Sequence, residues 1–207
     1  MRRIQGLRAF WCFTTLVQAD FSSATAGGNA ESYLDQFGLQ ISDYPVDEKN
    51  AISHYFSPDN VALGAGSVDL TVRAYDGGEY VYGAEIVTAD TTLYGSLRTV
   101  LKSSTTGGVC EGMFFYLPFD FDPSEDYHEY RIDWTESSTT FYVDGVQKVQ
   151  HTTNVPYLAT LGVWNVWSNG DPYWSAGPPT ADSVTHIRSI EMYSGYAKEV
   201  EGTVCDV

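Results

Sequence analysis

Basic residues are scarce. Eleven Lys and Arg stand against 27 Asp and Glu, for a net charge of −16 and a pI of about 4.3. Nucleic-acid recognition needs a basic face, so that partner is excluded. Anionic membrane surfaces are excluded for the same reason. Cysteine is also rare, with three residues, and no Cys/His spacing resembles a zinc site. The four histidines, His54, His128, His151 and His186, are scattered. No metal site and no cofactor is expected. No apolar run approaches the ~20 residues that span a bilayer. No stretch carries a helical period with caps, and no Asn-x-Ser/Thr sequon occurs. What remains is an acidic, aromatic-rich chain suited to an uncharged substrate, with the charge itself serving solubility.

Met1 to Ala19 reads as a secretory signal. Arg2, Arg3 and Arg8 form a charged start, an apolar run follows to Val17, and Val17-Gln-Ala19 offers small residues before a cut. The expected location is therefore extracellular. Cys12 falls inside this segment. That leaves Cys110 and Cys205 as candidates for one bridge in an oxidising compartment. Residues 20–52, rich in Ser, Ala, Gly and Asp, read as an extended N-terminal segment anchored by Tyr33, Leu34 and Phe37. Residues 53–196 read as one domain and residues 197–207 as a tail. A length of 207 residues suits a single all-β domain, expected to be a monomer.

Strand signals dominate the domain. Val68 to Ala74 alternates, Asp76-Gly-Gly78 turns, and Tyr80 to Ile86 follows. Leu93 to Leu101 alternates again. Val109 to Leu117 is nearly continuous in apolar residues, as for a strand covered on both faces. Tyr130 to Trp134, Thr139 to Val143 and Val146 to Gln150 come next, the last two joined by Asp144-Gly145, a strong hairpin signal. Leu161 to Trp167 and Val184 to Tyr193 close the set. Many short strands with Gly turns predict a β-sandwich of two antiparallel sheets. Three of the five tryptophans lie in Trp164 to Pro179, among Asn, Ser and Asp. A flat aromatic face flanked by amides and hydroxyls is suited to a sugar ring, and equally to a sandwich core.

Seven motifs then occur in a telling order: Asn60-Val-Ala-Leu63, Gly83-Ala-Glu-Ile86, Tyr94-Gly-Ser-Leu-Arg98, Gly108-Val-Cys-Glu-Gly-Met-Phe-Phe-Tyr116, Tyr127-His-Glu-Tyr-Arg-Ile-Asp-Trp134, Phe141-Tyr-Val-Asp-Gly145 and Trp164-Asn-Val-Trp167. Over residues 33–196 the chain resembles glycoside hydrolase family 16, especially its fungal secreted members. The resemblance implies a β-jelly-roll, and hydrolysis of O-glycosyl bonds in β-1,3/1,4-glucans by a retaining, two-carboxylate mechanism. It implies a polysaccharide partner held in a concave cleft. Trp167 would stack a glucosyl ring and Asn165 would hold a hydroxyl. Arg98, Phe114 and Tyr116 are further candidates from the same carry-over. Alternation gives Asn165 and Trp167 one face of their strand and Trp164 the other.

The chain departs from the family at its catalytic strand. A Glu-x-Asp-x-Glu segment should follow the match to Gly112–Tyr116, yet only ten residues separate Tyr116 from Tyr127. Two central strands are expected to be missing. Asp120-Phe-Asp122-Pro-Ser-Glu125 has a related spacing, and Asp120, Asp122 and Glu125 are the remaining acid candidates. Pro123 within it fits a loop better than a central strand. Glu85, Glu111 and Glu129 read as isolated surface acids, and His128 as a satisfied edge residue. Four readings follow: a family member of doubtful activity, a non-catalytic glucan-binding module, an active hydrolase using Asp120, Asp122 and Glu125, and a defective splice or gene-model product.

Overall fold

The computed structural model describes residues 14–112 and 121–195. Two sheets pack face to face. The larger one has the order β12-β11-β10-β8-β14-β6-β5, with β1 also on β14. Its strands are β1 (Thr14–Asp20), β5 (Val61–Leu63), β6 (Val68–Val72), β8 (Gly95–Lys102), β10 (His128–Trp134), β11 (Thr139–Val143), β12 (Val146–His151) and β14 (Ser183–Ser194). The smaller one has the order β3-β4-β7-β13-β9, with β2 also on β7. It comprises β2 (Leu39–Ile41), β3 (Tyr44–Val46), β4 (Ser53–Phe56), β7 (Tyr80–Thr88), β9 (Cys110–Gly112) and β13 (Val163–Trp167). Every pair is antiparallel except β4 with β7. The all-β sandwich expected from the strand pattern is the observed fold.

The core between the sheets is built from inward-facing β-branched and aliphatic residues: Val68, Leu70 and Val72 of β6, Ala84 and Ile86 of β7, Ile187 and Ile190 of β14. Trp164 is the largest of them, 1% exposed. Its indole N–H crosses between the sheets to Thr99 Oγ1 at 2.6 Å, so burial leaves no polar atom of the ring stranded. The Asp144-Gly145 hairpin forms as its sequence requires. Both residues have positive φ, 49° and 73°, the backbone of a two-residue type I′ turn.

Two features of the N-terminal part differ from expectation. Residues 20–52 are not simply extended, because Ala30–Asp35 forms a short helix, α1. Asn29 caps it, its side-chain oxygen accepting from the Ser32 amide at 2.7 Å. Six residues are too few to display a helical period. The anchors do pack: Leu34 is fully buried, and Phe21, Tyr33 and Phe37 form a ring cluster with centroids 5.5–6.1 Å apart. The second feature is β1. The end of the segment read as an export signal lies in the larger sheet on β14, with Val17 and Ala19 buried in the core.

Among the described residues, nothing pairs with the outer edge of β9. Opposite it the larger sheet runs on through β10, β11 and β12. A cavity of about 800 Å³ is lined by Leu97, Ile132, Phe141, Val163 and Met192 among others.

Candidate functional site

The strand β13 divides its side chains between two environments. Trp164 and Val166 enter the core. Asn165 and Trp167 therefore face outward from the smaller sheet. Asn165 lies directly across from Glu85 on β7, and residues so paired share a face. The Asn165 amide nitrogen donates to Glu85 Oε2 at 3.0 Å. The other carboxylate oxygen, Oε1, accepts from Ser42 Oγ at 2.7 Å and from the Tyr44 hydroxyl at 2.9 Å. Glu85 is only 5% exposed. A buried carboxylate is tolerated when hydrogen bonds replace its lost water, and three donors do so here. Burial and the adjoining Glu85 push the Tyr44 phenol up to about 12, so it stays a donor at every ordinary pH.

Trp167 is half-buried at the same face. The ring of His54 on β4 stacks against it, with centroids 4.9 Å apart and planes 23° from parallel. Phe56 meets His54 edge-on at 5.2 Å and Tyr44 at 5.4 Å. Burial holds His54 below the usual histidine value, with Glu85 pulling weakly the other way. Gly112, opposite Asn165 on β9, is required by close approach. A Cβ there would lie 2.0 Å from Asn165 Oδ1.

The loop after β13 folds back toward this face. Cys110 pairs with Trp167, and its Sγ lies 4.0 Å from the Trp174 carbonyl. Ser168 and Ser175, both buried, hold the loop through their hydroxyls. Tyr173 at 95% exposure and Trp174 at 54% stand out from it.

The sequence candidates fare unequally. Asn165 and Trp167 come together on one face. Glu85, read as an isolated surface acid, is instead buried at the centre of their cluster. Glu111 is no surface charge either, since it accepts from Ser103, Thr185 and the Ser104 amide. Arg98 is corrected: it lies on β8 of the larger sheet, between Leu97, which packs on the core, and Thr99, which bonds Trp164. Alternation turns it to the opposite outer surface, beside Arg131 and Glu191. Asp122 and Glu125 also stand away from the cleft. They are exposed in a turn whose Pro123 carbonyl accepts from the Ser103 amide. Hydrogen bonds from Ser124 hold Asp122 below the usual carboxylate value, the wrong direction for a proton donor. His128 is tied to Asp144 at 2.7 Å. Phe114, Tyr116, Asp120 and Cys205 lie outside the described residues, so the Cys110–Cys205 pairing goes with them. His54, Tyr44 and Ser42 were missed because only the return of β3 and β4 beside β7 brings them to Glu85.

Chemically, the cluster offers one aromatic face and one amide held by a carboxylate. Among the described residues no second carboxylate joins Glu85 there. A retaining glycosidase needs two, about 5–5.5 Å apart.

Residues 115–165, about a quarter of the chain, match the family described as glycosyl hydrolases family 16. A beta-glucanase of Brevibacillus brevis is 37% identical over 62 residues, 30% of this chain and 24% of that enzyme. The chain thus spans well under half of that relative's length. Matched beta-glucanases also come from Acetivibrio thermocellus and Paenibacillus polymyxa, which are bacteria, and the expected fungal affinity is unsupported. The Bacillus licheniformis beta-glucanase structure superposes with a TM-score of 0.65 at 18% identity, covering 76% of this chain and 92% of that one. A Bacteroides ovatus family 16 endo-glucanase, solved with a bound glycoside, gives a TM-score of 0.62 at 13% identity, covering 86% and 99%. The fold is therefore that of this glucanase group.

Proposed function

We propose that the protein is a secreted, glucan-directed protein of glycosyl hydrolase family 16 type. It holds a β-1,3/1,4-glucan on the outer face of the smaller sheet, with hydrolysis of the O-glycosyl bonds, the family's reaction, lost. The observation that carries this reading is the Trp167–Asn165–Glu85 cluster, an aromatic face beside an oriented amide. A neutral polysaccharide also suits a chain of net charge −16. Loss of turnover is supported by the cluster's having, among the described residues, one carboxylate, and by the lack among them of a strand on the outer edge of β9.

Calorimetric titration with laminarin and with mixed-linked glucan tests the binding, and reducing-sugar release tests turnover. The expected result is saturable binding, weakened about tenfold or more in Trp167→Ala, with no sugar released. Turnover by wild type that disappears in Asp122→Asn would restore the hydrolase reading. N-terminal sequencing of chain recovered from the culture medium tests secretion and locates the cut. The lack of a partner for β9 among the described residues favours a second reading, a defective splice or gene-model product that does not fold cooperatively. A sharp thermal transition in the purified chain would exclude it.

A further inference from the structure

His54 occupies a position for which glucan binding has no evident need of an imidazole. It covers one face of the Trp167 indole, at 4.9 Å and 23°. Phe56 closes its edge at 5.2 Å and 77°. It is 5% exposed, and its Nδ1 has no hydrogen-bond partner among the described residues. A phenyl ring would stack equally well without burying an unpaired ring nitrogen. What an imidazole adds is the capacity to take a proton near neutral pH.

We propose that His54 is the positioning residue of the Trp167 platform, and that the platform accepts a glucan only while the imidazole is neutral, so affinity falls in mildly acid solution. This rests on the glucan-binding reading above. The groups that face His54 set the sign. From β7 comes Glu85, whose charge favours the imidazolium but whose oxygens already serve Ser42, Tyr44 and Asn165. From β3 comes Tyr44, a neutral phenol. From β13 come Trp167 and Asn165, which do not titrate. Burial outweighs Glu85, so the neutral ring is favoured in the packed site. A sugar laid on Trp167 removes more water and disfavours the imidazolium further. Linkage then requires binding to release the proton, and affinity to drop as pH falls through the ligand-free value of His54, which burial holds below the usual ~6.5. A charged ring must also reach water, and in doing so it unseats the indole it supports.

The test is calorimetric titration of the full chain with laminarihexaose from pH 7.5 to 5, with thermal unfolding recorded at each pH. Wild type is expected to lose affinity by up to about tenfold per pH unit, the limit for one linked proton. His54→Phe keeps the stack without the titration, and its affinity should not vary over this range. His54→Ala removes the support and should bind more weakly at every pH. Tryptophan emission of the ligand-free protein, corrected by a Trp167→Phe variant, should shift over the same interval in wild type and not in His54→Phe. A flat wild-type affinity, or an equal slope in His54→Phe, overturns the proposal. Folded wild type that binds no laminarihexaose at pH 7.5 removes the glucan reading itself. The emission shift then still decides whether His54 positions Trp167, and its absence overturns that claim.

Discussion

The side-chain amide of Asn165 is held by the Glu85 carboxylate at 3.0 Å across the β7–β13 pair. The same carboxylate gathers Ser42 and Tyr44 from 43 and 41 positions earlier in the chain. Replacing Glu85 by Ala leaves buried donors unpaired, at about 1–3 kcal/mol for each group that water cannot reach. We expect Glu85→Ala to lower the urea midpoint clearly, and Glu85→Gln to lower it less because one acceptor oxygen survives. Equal midpoints for Ala and wild type would show that the carboxylate does not tie the sheet together.

Trp164 and Trp167 lie three residues apart and should respond oppositely to truncation. Trp164→Ala empties a core site and should cost about 3–5 kcal/mol of stability. Trp167→Ala removes a half-exposed ring and its stack on His54, about 0.5–1.5 kcal/mol, while reducing glucan affinity about tenfold or more, which is ~1.4 kcal/mol of binding. Chemical unfolding and calorimetry on both variants check the pair. Equal loss of affinity from Trp164→Ala at a pH where it remains folded would contradict the face assignment.

Gly112→Ala places a methyl 2.0 Å from Asn165 Oδ1, well inside contact. Asn165 must swing away or β9 must shift. The expected outcome is weaker glucan binding with a destabilisation of about 1–3 kcal/mol, the usual range for overpacking. Unchanged binding would mean that the Asn165 amide does not touch the sugar.

The strand β1 makes the position of any N-terminal cut consequential. A chain beginning at Asp20 loses the pairing of residues 14–19 with β14 and the buried Val17 and Ala19 side chains. Burying one Val contributes about 1.5–3 kcal/mol. We expect the shortened chain to melt several degrees lower than one beginning at Thr14, measured by calorimetry. Identical melting temperatures would show that β1 adds nothing.

The pair of His186 Nδ1 and Asp69 Oδ1, 2.7 Å apart, gives stability a dependence on pH. The hydrogen bond that His186 donates to Asp69 raises His186, burial opposes it, and the Asp69 charge adds to the rise. A histidine raised on folding contributes its stability fully below its unfolded value of ~6.5 and loses it as pH rises through the folded value. The His186 side chain is 37% exposed, so solvent screens the contribution to a small fraction of a strong pair. His186→Gln should therefore flatten a shallow decline in melting temperature above pH 6.5. A decline of the same depth in the variant would assign it to another group.

The strands were legible because alternation and turn chemistry are local. Val68 to Val72, Tyr130 to Trp134 and the Asp144-Gly145 hairpin declare themselves within a few residues. The helix α1 escaped because one capped turn and a half carries no period. Asn165 and Trp167 were legible as face partners, since a strand puts every second side chain on one side. Arg98 was a candidate through the family resemblance alone, and the likeness of a short motif does not state which sheet its strand joins.

The sequence alone determined the all-β class, the acidic surface, the outward pair on β13 and the shortness of the segment between Tyr116 and Tyr127. Each follows from composition or from contacts within a few residues. Tertiary structure alone decided that Glu85 is buried under three donors, that His54 supports Trp167, that Arg98 turns away and that β1 belongs to the larger sheet. Those facts depend on strands distant in the chain meeting side by side, and the environment of a charge is set by what packs against it.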